Sequence, residues 1–109
     1  MKYKRIKIKG KILEVVTIGQ LAKMCNRSVS YIRKMEQRDI FPFAKIRDNS
    51  KYDKSGNKLV GNRLYSVTLA KRLAEILYEV KQGVKITNEQ QRQIWIAFQN
   101  EDIFINTPT

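Results

Sequence analysis

Histidine is absent from this 109-residue sequence, and cysteine occurs only once, as Cys25. Without histidine the usual zinc-binding sets and the commonest general base are missing, and a single cysteine cannot form an internal disulfide. The sequence also contains no nucleophile motif and no glycine-rich loop that would cradle a phosphate. We therefore expect a protein that is not an enzyme and that uses no metal or other cofactor.

Long hydrophobic runs are also absent. No stretch approaches the roughly 18 apolar residues that a membrane helix needs, and the basic start MKYKRIKIKG lacks the apolar region of a signal peptide. We expect a cytoplasmic protein, associated with the nucleoid or, if phage-encoded, located in the host cytoplasm. Hydrophobic residues make up 42% of the chain, and there is no repeat or Pro/Gly-rich linker, so residues 1–109 are expected to form a single domain.

Acidic residues are too few to balance the basic ones, and the imbalance lies in one part of the chain. The formal net charge is +12. Residues 1–63 hold 17 Lys or Arg and 5 Asp or Glu, a net charge of +12, whereas residues 64–109 hold 5 of each. This asymmetry indicates a polyanion-facing part joined to a neutral part that supports it or binds a protein. Nucleic acid is the first candidate partner and an acidic membrane surface the second.

The N-terminal pattern predicts two short strands followed by a helix. Residues 1–16 alternate lysine with isoleucine, which is typical of a strand pair with a basic outer face. Thr17 and Gln20 then have capping-box spacing at the start of TIGQLAKMC. The apolar residues of that helix recur with helical period, and Cys25 is expected in the core rather than as a reactive thiol.

A tight turn and a second helix are predicted next, so residues 17–40 are expected to form a helix-turn-helix. Asn26 is one of the few residue types that tolerate a left-handed backbone, and Ser28 is a good N-cap. By helical-wheel counting, one face of the second helix is apolar, with Val29, Ile32 and Met35. The opposite face carries hydrogen-bonding side chains, namely Ser30, Tyr31, Arg33, Lys34, Gln37 and Arg38.

Residues 41–65 predict a long basic β-hairpin, which we call the wing. Pro42 ends the preceding helix, and DKSGN at residues 53–57 is a turn signal between two potential strands. The basic side chains of the wing are Lys45, Arg47, Lys51, Lys54, Lys58 and Arg63.

Two supporting helices are predicted within residues 66–100. Ser66 caps the first, whose buried stripe is Leu69, Leu73, Ile76, Leu77 and Val80, and Gly83 ends it. Thr87 opens the second by another capping box, and this helix is expected to end at about Gln99. The tail at residues 101–109 contains an apolar IFI, which could add a strand to a sheet or meet another chain. The predicted fold is mainly α with a small β component.

The outward face of the second helix has the chemistry of a DNA reader. A recognition helix fits the major groove, where Arg33 and Gln37, one turn apart, suit hydrogen bonds to base edges. The remaining predicted contacts, mainly to sugar-phosphate, are Arg27, Ser30, Tyr31, Lys34 and Arg38 with the basic residues of the wing. Phosphate contacts release counterions, so several of them predict steeply salt-dependent binding.

The stretch TIGQLAKMCNRSVSYIRKMEQRDIFP, followed by NRLYS and RLAEIL, resembles the winged helix-turn-helix domain of the mercury-resistance regulator (MerR) family. The family motifs are a Thr-Ile-Gly helix start, an Ile-Arg pair and an Arg-Leu-Tyr wing end, here at Thr17-Ile18-Gly19, Ile32-Arg33 and Arg63-Leu64-Tyr65. The resemblance covers roughly residues 17–99. It implies that Arg33 and its neighbours contact DNA from the major groove, and that Arg63 and Tyr65 brace the wing or touch phosphate, with Tyr65 expected in the core.

Several features depart from that family. Arg27 replaces a small apolar residue, Asp39 replaces a glycine, the wing is longer, and the basic N-terminal strands have no counterpart. The long coiled-coil helix and any effector domain are missing, so metal or drug sensing is not implied. What remains resembles the small DNA-binding modules of phage excisionases, terminase small subunits and mobile-element regulators.

Sequence-specific double-stranded DNA binding by a small phage or bacterial regulator, or by an architectural factor, is therefore the leading functional hypothesis. The alternatives are RNA binding and a protein-interaction module that uses the neutral half, with Ile96 and residues 101–105 as contacts. A homodimer or cooperative assembly on DNA is expected to raise affinity. No membrane partner is expected.

Overall fold

Residues 3–47, 55 and 62–107 are described by a computed structural model, which has an α+β fold. About half of these residues are helical, and one antiparallel sheet has four strands. The prediction of four helices is confirmed, but the four strands form one sheet and the fold is α+β instead of mainly α. The elements are β1 (Lys4–Ile8), β2 (Lys11–Thr17), α1 (Ile18–Met24), α2 (Val29–Gln37), β3 (Ile46–Arg47), β4 (Arg63–Ser66), α3 (Val67–Tyr78) and α4 (Asn88–Asn106).

The predicted N-terminal strand pair is present, and it is joined to the base of the predicted wing. The strand order is β1-β2-β4-β3, with every neighbouring pair antiparallel. Lys9 and Gly10 connect β1 to β2 with φ angles of 49° and 81°, the two left-handed residues that a type I′ hairpin turn requires. Pairing of β2 with β4 satisfies the backbone groups of both strands, so elements expected to be separate share one sheet.

Each face of the sheet contributes to a hydrophobic core. Val16 of β2 and Tyr65 of β4 lie side by side and pack into the main core with the helices. The opposite face carries Val15 and Leu64, which pack with Ile105 near the end of α4. The sheet therefore lies between the main helical core and the C-terminal part of α4.

All four predicted helix starts are confirmed. In each case a hydroxyl accepts a hydrogen bond from the backbone N–H three residues ahead, which satisfies one of the unpaired donors of the first turn. Two of the four are complete capping boxes, because a glutamine side chain also accepts from the N-cap backbone N–H. The four N-cap residues are Thr17, Ser28, Ser66 and Thr87.

Two predicted helix ends are wrong. Helix α3 ends at Tyr78, and Gly83 lies further on, in a turn, with a φ of 82°. Helix α4 continues to Asn106, so the IFI segment is helical and does not form a strand. The buried stripe of α4 includes Glu101, and this charged residue interrupts the apolar pattern from which a helix would be predicted.

Within residues 3–47 and 62–107, no helix is long and apolar enough to span a bilayer.

Candidate nucleic-acid interface

The segment between α1 and α2 has the predicted tight turn. Asn26 adopts a left-handed backbone with a φ of 54°, and the Arg27 N–H returns to the carbonyl of Ala22 at 2.8 Å. Ser28 then starts α2. The buried positions of α2 include Ile32 and Met35, as the helical wheel predicts. The face of α2 with Ile32 and Met35 therefore packs on the core.

The opposite face of α2 is open to solvent. Ser30, Arg33, Lys34, Gln37 and Arg38, which follows the helix as its C-cap, are all exposed. Among residues 3–47 and 62–107, no carboxylate forms an ion pair with Arg33, Lys34 or Arg38. Three uncompensated cations on one short helical segment attract a polyanion.

Tyr31 differs from its neighbours on α2. Its ring is half-buried against the main core, and the Arg27 guanidinium carbon lies 5.4 Å from the ring centroid. The side chain is thus partly a core residue, in contrast to the outward position expected for it. Its accessible part remains at the N-terminal end of α2, where the predicted phosphate contact would have to form.

Arg27 has structural partners instead of a free guanidinium. Its Nη1 donates to the carbonyl of Asn26 at 3.1 Å, and its Nη2 donates to the carbonyls of Leu77 and Val80 at the end of α3. Leu77 lies in the last turn of α3 and Val80 lies two residues past Tyr78, so the guanidinium lies at the C-terminus of that helix, where a cation interacts favourably with the helix dipole. Arg27 therefore hydrogen-bonds the C-terminal end of α3, and its DNA contact stays a prediction.

A buried ion pair connects α2 to the base of the wing. Glu36 is 4% exposed and faces inward from α2. Arg63, the first residue of β4, donates to it from two nitrogens, with Nε to Oε2 at 2.9 Å and Nη2 to Oε1 at 2.7 Å. These hydrogen bonds raise the pKa of Arg63, so the guanidinium is fully charged. Of the two roles that the resemblance implies for Arg63, this geometry corresponds to bracing the wing.

Sequence reasoning missed Glu36 because it is the only acidic residue on a helix selected for its basic face. Its position among the buried side chains of α2 was the available signal, since it follows Met35 directly and lies one turn after Ile32. A buried charge normally requires a partner, and that partner lies 27 residues away in sequence.

Tyr65 is 1% exposed, as expected for a core aromatic. Burial, with a smaller contribution from the Glu36 charge, raises the pKa of its phenol to about 12. Cys25 is also in the core as predicted, and burial raises its thiol pKa to about 11, which leaves almost no reactive thiolate at neutral pH.

The other described cations of the wing differ in their surroundings. Arg47 lies directly across from Arg63 in the β3–β4 pair and is half-buried. Lys45 is exposed and forms an ion pair with Asp102 of α4 at 3.0 Å. Exposed pairs of this kind contribute little, so Lys45 can exchange its partner for a phosphate. The predicted contacts Lys51, Lys54 and Lys58 lie outside the described residues, as does the predicted turn except for Ser55.

The turn of the basic N-terminal hairpin lies at the opposite end of the sheet from Arg63 at the wing base. Val15 pairs with Ser66 and Thr17 pairs with Leu64, so the β1–β2 turn extends past the end of β4, opposite to the side from which the wing enters. Lys9 donates to the Asn106 side chain, and Lys11 donates to the Phe104 carbonyl. Because α4 has no basic residue in its last turn, these lysines complement its C-terminal dipole.

No family model, curated protein or solved structure matches this chain significantly.

Proposed function

We propose that the protein binds double-stranded DNA through a winged helix-turn-helix of the MerR-like type, with α2 as the recognition helix. The observation that carries this proposal is the exposed outer face of α2, where Arg33, Lys34 and Arg38 have no ion-pair partner among the described residues. In the major groove, Arg33 and Gln37 would read base edges. Ser30 and the flanking cations would bind phosphates.

The wing would supply the second part of the interface. Arg47 and Lys45 lie at its described base, and the lysines at positions 51, 54 and 58 remain predicted contacts to the DNA backbone or minor groove. Arg63 would act as a brace, because its charge is already used by Glu36. A protein of this kind would serve as a small regulator or an excisionase-like architectural factor of a phage or bacterium, and self-association would raise its affinity.

Selection of bound duplexes from a random pool, followed by measurement of affinity and salt dependence, tests the proposal. Arg33→Ala is expected to lose about 1 to 3 kcal/mol of binding free energy and to relax specificity at one position. Lys34→Ala should weaken binding to all duplexes and reduce the salt slope by about 1. Lys81→Ala is the matched control, since Lys81 is exposed in the neutral part of the chain.

Affinity that is unchanged by both α2 substitutions, or that does not depend on salt, would contradict the proposal. Competition between duplex DNA and RNA separates it from RNA binding, because preferential binding to RNA would favour that alternative.

A protein partner is a second candidate, favoured by the apolar residues on the exposed side of α4. Ile96, Ile103 and Phe104 are 44%, 63% and 51% exposed, and their spacing places them on one side of the helix. Ile96 and Phe104 also line a groove of about 640 Å³ between α3 and α4. Co-purification that survives nuclease treatment but is lost in Ile103→Ser with Phe104→Ser would support this candidate. Truncation is unsuitable, because Glu101 and Ile105 are buried.

A further inference from the structure

We propose that Glu36 is a positioning residue, which sets the orientation of α2 relative to the wing by holding Arg63. This inference rests on the proposed function, because the two elements are the two parts of the DNA interface. Glu36 does not face the outer side of α2 and is not itself a DNA contact.

The geometry of the Glu36–Arg63 ion pair constrains the relative orientation of the two side chains as well as the distance between them. Arg63 donates through Nε and Nη2 to both carboxylate oxygens, with the three donor–acceptor distances between 2.7 and 3.0 Å. A two-point contact between planar groups restricts rotation about the axis that joins them, which a single lysine contact does not. Because Arg63 is the residue at which the wing returns to the sheet, this restriction acts at the wing base.

The change in DNA affinity on neutralising Glu36 distinguishes a positioning role from the effect of an ordinary surface acid. A carboxylate on a helix that binds a polyanion opposes binding, so neutralising it should raise affinity if charge alone matters. Two contact elements held in one relative orientation bind as a bivalent unit, and losing that orientation lowers affinity without removing any contact. If Glu36 positions the two elements, neutralising it should therefore lower the DNA affinity, whereas an effect of charge alone would raise it.

Three variants test whether DNA affinity falls or rises when the ion pair is lost. Glu36→Gln keeps the side-chain shape but removes the charge. Arg63→Lys keeps the positive charge but removes the two-nitrogen contact with the carboxylate. Both are expected to lower affinity for the selected duplex about tenfold or more, with the salt slope retained. Glu79→Gln, a change at an exposed acid outside α2 and the wing, should not weaken binding. Affinities are measured at a temperature at which thermal unfolding shows each variant to be folded.

Spin labels provide a readout that does not need DNA. Labels at Gln37→Cys and Asn62→Cys, two exposed positions, report the separation of α2 from the wing base in a Cys25→Ala background. We expect a narrow distance distribution with Glu36 present and a broader one in Glu36→Gln and Arg63→Lys.

The outcomes separate the two proposals. If no duplex binds the unsubstituted protein, the proposed function fails, and the distance distributions alone decide whether the pair orients the two elements. An unchanged distribution in Glu36→Gln overturns the positioning role, whatever happens to affinity. Equal or tighter DNA binding by Glu36→Gln overturns it as well. Near-normal binding by Arg63→Lys would instead indicate that Arg63 acts as a simple phosphate contact.

Discussion

The indole N–H of Trp95 donates a hydrogen bond to the backbone carbonyl of Asp39 at 3.2 Å, which attaches α4 to the segment that follows α2. Trp95 is 39% exposed, so this hydrogen bond accompanies only partial burial of the ring. Asp39 lies where the chain leaves α2 and turns toward the wing, with a left-handed φ of 58°. Helix α4 therefore contacts the segment that follows α2, although it carries none of the predicted base contacts.

Trp95→Phe tests this attachment. The substitution keeps an aromatic ring but removes the donor, so the free energy of unfolding should fall by about 1 kcal/mol, with some further loss from the smaller ring. Urea unfolding measures the change. Tyr78→Phe is the control, since Tyr78 is 87% exposed and should be neutral. A fully neutral Trp95→Phe would show that the hydrogen bond does not contribute to stability.

Asp39→Gly should stabilise the protein. A left-handed backbone is unfavourable for residues with a Cβ and is readily adopted by glycine, so we expect a gain of up to about 1 kcal/mol after the entropy of glycine is included. Asp39→Ala keeps the Cβ but lacks the local hydrogen bonding of aspartate, and it should destabilise. Thermal unfolding of both variants gives the comparison, and an equal effect of Gly and Ala would rule out backbone conformation as the cause.

Arg27→Lys separates capping of α3 from DNA binding. Lysine keeps the charge but has its donors on a single nitrogen, whereas Arg27 reaches the carbonyls of Asn26, Leu77 and Val80 from two separate nitrogens, so the free energy of unfolding should fall by about 1 to 2 kcal/mol. DNA affinity of the folded variant should remain unchanged. If Arg27→Ala instead lowers affinity and the salt slope without a loss of stability, the original sequence-based prediction is right.

Glu101 gives a pH-dependent test. Burial raises the pKa of its carboxyl, although it accepts a hydrogen bond from the Ser66 backbone N–H at 2.8 Å. The folded state therefore holds the proton more tightly than the unfolded state does. Its contribution to stability is present at low pH and is lost as pH rises from the unfolded pKa, near 4.5, through the raised folded value.

Glu101→Gln removes this titration while its amide oxygen can still accept from Ser66. The unfolding free energy of the original protein minus that of the variant should thus decrease as pH rises from about 4 to 7. Chemical denaturation across that range measures the difference, and Glu79→Gln is the control, since Glu79 is an exposed acid. A difference that increases with pH would show that the charged carboxylate stabilises the fold.

Features that depend on neighbouring residues could be predicted from the amino-acid sequence alone. Thr17 with Gln20, Ser28 and the left-handed Asn26 involve hydrogen bonds or backbone geometry within one turn, and the stripe of α3 follows from the local spacing of its apolar residues. Residue type and spacing are enough to predict such features, because few conformations satisfy them locally. The outward face of α2 was predictable for the same reason.

The partners of the charged side chains depend on contacts between distant parts of the chain. Glu36 and Arg63 are 27 residues apart, Arg27 and Val80 are 53 apart, and Lys9 and Asn106 are 97 apart. Contacts between distant parts of the chain also join the N-terminal strands to β4. In α4 they give the buried Glu101 a hydrogen bond from the Ser66 backbone. Whether a charge faces solvent, caps a helix or pairs in the core depends on what the rest of the chain brings beside it, because burial makes an unpaired charge unfavourable.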